Sequence, residues 1–310
     1  MESELYKNRS LGRCLSDAYN LYRTNFKTII RRLWLPALVL SLFTAAIYSV
    51  SANMAMSLTS ADLSVGGCIA VAVLGLLSVC AYVWFFTIVI SLLNGKSVKA
   101  NLPRMTRLAL TLLGLTIVAC ALVALVSIVT AKAKPNAVPL YAGALGGIIV
   151  CIVVCVLVLP LCYSIMKYCV ETDEKVMAIF KRNYLAGWRQ WGFLFIIVLL
   201  VGIIVMVIDT LVGMPNSILS LASGMRHISM MEGDSPIMPS GFGLLAFLTS
   251  AVCTFVMTFV RPWVIFVFYY AYGCIDEKEK ARLAQKKLEA YEDKNKSASK
   301  GTIIDFEEVK

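Results

Sequence analysis

Six long apolar stretches constrain this chain more than any other feature. They are Leu33–Met56, Val65–Leu93, Leu108–Thr130, Pro139–Met166, Trp191–Val212 and Gly241–Tyr272. About 20 apolar residues in a helix cross a hydrocarbon core of roughly 30 Å. A single segment in lipid must satisfy its own backbone amides, which only a helix does. Strands of a membrane barrel would alternate polar and apolar residues, and these stretches do not. The stretches predict an all-α, polytopic membrane bundle of six helices over residues 33–273. Composition agrees. Apolar residues make up 59% of the 310 and charged residues 15%, where a soluble domain carries about 25% charge. A soluble domain, a disordered chain and a nucleic-acid-binding module are excluded.

The connections set the orientation. Lys and Arg number seven before the first stretch, then none, four, two, five and one in the successive connections, and nine in the tail. Basic residues concentrate on the cytoplasmic side of membrane helices. The alternation predicts a bacterial inner (plasma) membrane protein with both termini in the cytoplasm. The net charge of +10 is then a topology signal and an attraction to anionic headgroups, so the expected partners are membrane lipids and not nucleic acid. No protein partner or oligomer can be read from the sequence. The first stretch is longer than the 7–15-residue core of a cleaved signal peptide, and it is read as an uncleaved helix. Seven of the ten cysteines lie in apolar stretches, while Cys14, Cys169 and Cys274 lie in or beside charged segments. They are read as reduced packing residues rather than as a disulfide framework.

Two segments flank the bundle. In residues 1–32, Leu11, Leu15, Ala18, Tyr22, Phe26 and Ile29 recur every three or four positions. That spacing predicts an amphipathic helix, and its basic opposite face predicts that it lies in the cytoplasmic interface. In residues 274–310, a charged helix is expected over about Asp276–Lys296. Glu279–Arg282 and Glu292–Lys296 have helix-stabilising spacing, and Ser297–Gly301 is expected to end the helix.

The chain also rhymes with itself. Tyr22-Arg23-Thr24-Asn25-Phe26 and Phe180-Lys181-Arg182-Asn183-Tyr184 share an aromatic, basic, any, Asn, aromatic order, and Arg31 and Arg189 each follow five residues after the second aromatic. Pro160 and Pro262 sit inside the fourth and sixth stretches, and Tyr168 and Tyr270 follow eight residues later. Asp173-Glu174-Lys175 resembles Asp276-Glu277-Lys278. Asn101–Arg107 is basic where a middle copy would begin but has no Asn–aromatic pair. The pattern predicts three parallel units, each an interfacial helix followed by a membrane hairpin. Interfacial composition alone also gathers aromatic and basic residues at such places. The signature resembles the membrane domain attached to some bacterial glycerophosphodiester phosphodiesterases, and its free-standing six-span relatives, over residues 10–275. The resemblance implies a fold and a membrane location. Those enzymes keep their chemistry in a separate soluble barrel, so the resemblance carries no catalytic residue to this chain.

Catalytic chemistry is scarce. The chain has one histidine, His227, which the topology places outside, away from any membrane-embedded nucleophile. Gly95-Lys96-Ser97 ends like a phosphate-binding loop but lacks its earlier glycine and follows a membrane helix. Intramembrane ionisable residues are the default functional candidates, and there are two. Asp209 lies near the outer end of the fifth stretch and Arg261 toward the inner side of the sixth. Different depths argue against a direct ion pair. Each also lies within reach of an interface, where a helix-end contact or snorkelling explains it. Pro160 and Pro262 can kink their helices and open a cavity, or be absorbed by tight packing. Met225, His227, Met230 and Met231 are ligand types for a soft ion. The segment from Pro215 to Met231 also reads as an interfacial helix with Ile218, Leu221, Met225 and Ile228 inward, its methionines being apolar filler. No metal or cofactor is expected. The expectation is a non-enzymatic membrane protein for membrane organisation or lipid handling. The alternative is a small-molecule or ion transporter with a path near Asp209 and Arg261.

Overall fold

The computed structural model describes residues 5–57, 65–133, 139–171, 176–180, 182–231 and 241–307. Side chains are described for 5–51, 65–125, 153, 156–171, 176, 179–180, 183–226, 228–229 and 241–292. Every regular element named below is helical. They are α1 (Leu11–Ser57), α2 (Val65–Asn94), α3 (Val98–Ala133), α4 (Pro139–Val170), α5 (Val176–Phe180), α6 (Arg182–Arg189), α7 (Trp191–Met231), α8 (Phe242–Thr258) and α9 (Arg261–Glu307).

Among the described residues, five helices are long and apolar enough to cross a membrane: those of the first, second, third, fifth and sixth stretches. The fourth stretch lies in the 32-residue α4, of which Val156–Val170 is a shorter apolar helix within the described side chains. The outer surface supports the membrane assignment. Leu110, Ile117 and Leu122 on α3, Met206 and Leu211 on α7, and Leu244 and Val252 on α8 are all more than half exposed. Water would not tolerate so continuous an apolar surface on a monomer. Lipid does, because its tails are as apolar as the side chains.

Three segments run on past the boundaries expected for them. The N-terminal amphipathic segment is not a separate helix, because α1 runs unbroken from Leu11 to Ser57 through Pro36. Much of its apolar face is covered by protein, although Phe26 is exposed. Ala18 and Ile29 pack with Phe85, Val89, Phe266 and Val267 in one buried cluster. The hydrophobic periodicity was a packing seam, and periodicity alone cannot tell a protein neighbour from a lipid one. The segment after the fifth stretch continues α7 to Met231, and its Ile218, Leu221, Met225 and Ile228 are more than half exposed to whatever surrounds the protein. The tail helix does not end at Ser297–Gly301, since α9 continues to Glu307.

The cysteines sort opposite to their apolar surroundings. Cys68, Cys80 and Cys120 are exposed, while Cys14, Cys169 and Cys274 are buried. The core lies toward the charged end of the bundle, where Leu5, Met105, Tyr163, Cys169 and Tyr272 pack together. Two backbone approaches are close enough to require glycine. A Cβ at Gly187 would lie 2.6 Å from the Pro160 carbonyl oxygen, and one at Gly273 would lie 2.5 Å from that of Leu5.

Candidate functional site

Proline lacks an amide hydrogen, so it leaves a helical carbonyl four residues earlier unpaired. At Pro160 that carbonyl belongs to Val156, and the Trp191 indole N–H donates to it at 3.3 Å. The next carbonyl, of Leu157, accepts from the Tyr184 hydroxyl at 3.1 Å. With these donors α4 passes through Pro160 without a break. At Pro262 the helix does break, between Thr258 and Arg261. Phe259 lies in that break, and its carbonyl accepts from the Tyr22 hydroxyl at 3.0 Å.

The two recurring signatures thus place a tyrosine on the carbonyl three residues ahead of a proline. Tyr22 is the first aromatic of its signature and Tyr184 the second of the other. The two later tyrosines also match. The Arg104 guanidinium lies 4.7 Å over the Tyr168 ring, and that of Arg9 lies 4.9 Å over Tyr270. The remaining signature residues do different things. Asn25 donates to the Leu21 carbonyl of its own helix, Phe26 packs edge-on to Tyr22, and Arg23 and Arg31 are exposed. Asn183 is buried with no partner for its amide nitrogen. Phe180 is exposed, and Arg189 pairs with Glu279 at 2.9 Å. Lys181 and Asp173-Glu174-Lys175 lie outside the described residues.

The break at Pro262 positions Arg261. It opens into a chamber of about 990 Å³ between α1, α7, α8 and the start of α9. Asp209 lines the same chamber. The structure therefore brings together the two ionisable residues predicted from the sequence. No ion pair joins them, as their different depths imply. Asp209 lies roughly 27 Å along α7 from Trp191, and Arg261 roughly 16 Å along α9 from Tyr272, at 1.5 Å per residue. Asp209 makes no hydrogen bond or ion pair with a described residue. Arg261 does not snorkel freely, since its guanidinium lies 5.3 Å over the Tyr82 ring. Thr44, Thr210, Asn216, Ser217 and Thr254 add hydroxyl and amide groups, and Val205, Met206, Met257 and Val264 add apolar wall. On α7, Gly202, Val205, Asp209, Gly213 and Asn216 line it at spacings of three and four, so one helix face carries it. Sequence inspection finds Asp209 and Arg261 by their charge. It misses Thr44, Asn216 and Thr254, because small polar residues in apolar helices have no distinguishing pattern.

A second polar cluster lies where α4 meets α9, just beyond the apolar run that ends at Ile275. Asp276 is nearly fully buried. It accepts from the Tyr163 hydroxyl at 3.1 Å and from Lys167 at 3.1 Å, and it pairs with Lys280 at 2.8 Å. Burial alone would raise its pKa. The hydrogen bonds and charges of Lys280 and Lys167 outweigh burial and hold the carboxyl below its usual range. The Tyr272 hydroxyl donates to Glu171 at 2.6 Å, and Tyr6 reaches Tyr272 at 3.1 Å. Farther out, the Glu279 carboxyl is held low, first by the Arg282 hydrogen bond. Lys280 also lies over the Tyr6 ring at 4.1 Å, and the cluster ties the N-terminal segment, α4 and α9 together.

Among the described residues no group of three or more His, Cys, Asp or Glu is placed to hold a metal ion. Met225 is exposed, and the side chains of His227, Met230 and Met231 lie outside the description. Compared with protein families, with curated proteins and with solved structures, the chain matches none.

Proposed function

We propose that this chain is a six-span inner-membrane protein that handles lipids without catalysing their chemistry, and that it holds a membrane-derived amphiphile in the chamber of Asp209 and Arg261. One observation carries this reading: both intramembrane ionisable residues face a single chamber of about 990 Å³. Charged side chains at membrane depth are costly and persist where they serve a ligand or a pathway. The volume lies at the top of the roughly 300–1,000 Å³ range of small-molecule sites and exceeds what an ion needs. Mixed polar and apolar walls suit a molecule with a headgroup and a chain. The paired tyrosine contacts ahead of Pro160 and Pro262 support three repeated hairpin units, and so does the family resemblance. The basic connections support cytoplasmic termini.

The second reading is transport of a small solute or ion. Asp209 favours it, because a carboxylate with no described partner can carry a proton or a cation. Native mass spectrometry of the full chain released from detergent tests the first reading. Retained phospholipid on the wild type, and its loss in Arg261→Ala, is the expected result. A bare protein under conditions that preserve lipid on control membrane proteins overturns it.

A further inference from the structure

Two smaller cavities adjoin the central chamber. One, of about 600 Å³, is lined by Tyr48, Ser220, Gly224 and Met225, and it shares Asn216 and Ser217 with the central chamber. The other, of about 560 Å³, is lined by Leu40, Tyr82, Leu108, Leu112 and Ile165. Leu40, Thr44 and Tyr48 each line one of the three. They are four residues apart, so they lie on one face of α1, about 6 Å per step. The three cavities are therefore strung along one helix. Their character differs: the middle one carries two opposite charges, while the outer and inner ones are lined mainly by apolar side chains. Arg261 lies over the Tyr82 ring at 5.3 Å, so one contact links the linings of the middle and inner cavities. Arg261 lines one cavity and Tyr82 the other.

We infer that these cavities form one site for a zwitterionic, amine-bearing glycerophospholipid. The inference rests on the lipid-handling reading and names the ligand class for it. The phosphate pairs with Arg261, the ammonium with Asp209, and an acyl chain fills the cavity of Leu108, Leu112 and Ile165. Charge balance selects the class. One guanidinium and one carboxylate sum to zero, so a zwitterion satisfies both. An anionic lipid satisfies Arg261 and leaves Asp209 beside a second negative group, an unpaired like-charge arrangement that costs binding energy. Arg261 exchanges its ring contact for a phosphate on binding, which frees Tyr82 and joins the middle cavity to the inner one.

The test titrates the detergent-purified full chain with phosphatidylethanolamine and phosphatidylglycerol of identical acyl chains, read by native mass spectrometry. The expected result is at least tenfold tighter binding of phosphatidylethanolamine. Asp209→Asn reduces that preference to less than twofold while leaving phosphatidylglycerol bound. Arg261→Gln weakens both lipids. Leu112→Trp, which fills the inner cavity, weakens both lipids but not the chain-free headgroup glycerophosphoethanolamine. Equal affinity of the wild type for the two lipids, or an unchanged preference in Asp209→Asn, overturns the inference and leaves lipid handling standing. Failure of the wild type to bind either lipid overturns both.

Discussion

The Tyr22 hydroxyl donates to the Phe259 carbonyl at 3.0 Å, across 237 positions of sequence. It ties the first helix to the break that turns Arg261 into the chamber. The break exists because Pro262 has no amide hydrogen for the Thr258 carbonyl. Tyr184 meets the Leu157 carbonyl ahead of Pro160 in the same way, yet there the helix stays whole. The difference follows from a second donor, Trp191, on the carbonyl that Pro160 leaves unpaired.

Removing the Tyr22 hydroxyl should therefore cost one hydrogen bond and nothing else. Tyr22→Phe keeps the ring contact with Phe26 and should lower stability by about 1 kcal/mol. Tyr19 is exposed, and Tyr19→Phe should be neutral. Thermal unfolding of the detergent-solubilised protein, monitored by circular dichroism, separates the two.

Gly187 predicts a steric cost. Gly187→Ala puts a Cβ 2.6 Å from a backbone oxygen, which cannot rotate away, and should destabilise by roughly 1–3 kcal/mol. Gly114→Ala in α3 meets no atom within 4 Å. Alanine is favoured over glycine in helices by up to about 1 kcal/mol, so that variant should be neutral or slightly stabilising. Equal melting shifts for the two would contradict the close approach of α6 to α4.

Asp276 predicts an acid-sensitive contribution. Its folded pKa is depressed, so its stabilising effect is fully present above the unfolded carboxylate value near 3.8. It is lost as pH falls through the still lower folded value. Lys167→Met leaves the buried carboxylate with Lys280 as its one cationic partner beside the Tyr163 hydroxyl and should cost about 3 kcal/mol at neutral pH, as breaking buried pairs does. The gap between wild type and Lys167→Met should narrow as pH falls from 7 to below 4. A gap independent of pH in unfolding experiments would show that Asp276 is not the charged partner.

Orientation is testable directly. The proposed topology, read from the basic connections, has both termini in the cytoplasm. A fluorescent protein fused at the C-terminus should fluoresce, and alkaline phosphatase fused there should be inactive. The reverse pattern would invert the bundle and put the apolar cavity of Leu108 and Ile165 in the outer leaflet.

Helical class and membrane residence were legible in the sequence, because a 20-residue apolar run in lipid has only one way to pair its backbone. Asp209 and Arg261 were legible as candidates for the same reason: charge in such a run is expensive and stands out. What surrounds them was not legible. Thr44, Asn216 and Tyr82 carry no sequence signal, and whether they meet Arg261 depends on helix rotation and crossing, set by packing between segments far apart in the chain. The N-terminal stripe shows the same limit. Ala18 and Ile29 declared an apolar face, and only the tertiary structure decided that Phe266 and Val267 of the last helix cover it. Sequence thus determined the solvent each segment needs, since that follows from local composition and backbone pairing. Tertiary structure decided which faces pair and which leave the row of cavities beside Thr44, since that depends on the shapes of side chains brought together over long sequence distances.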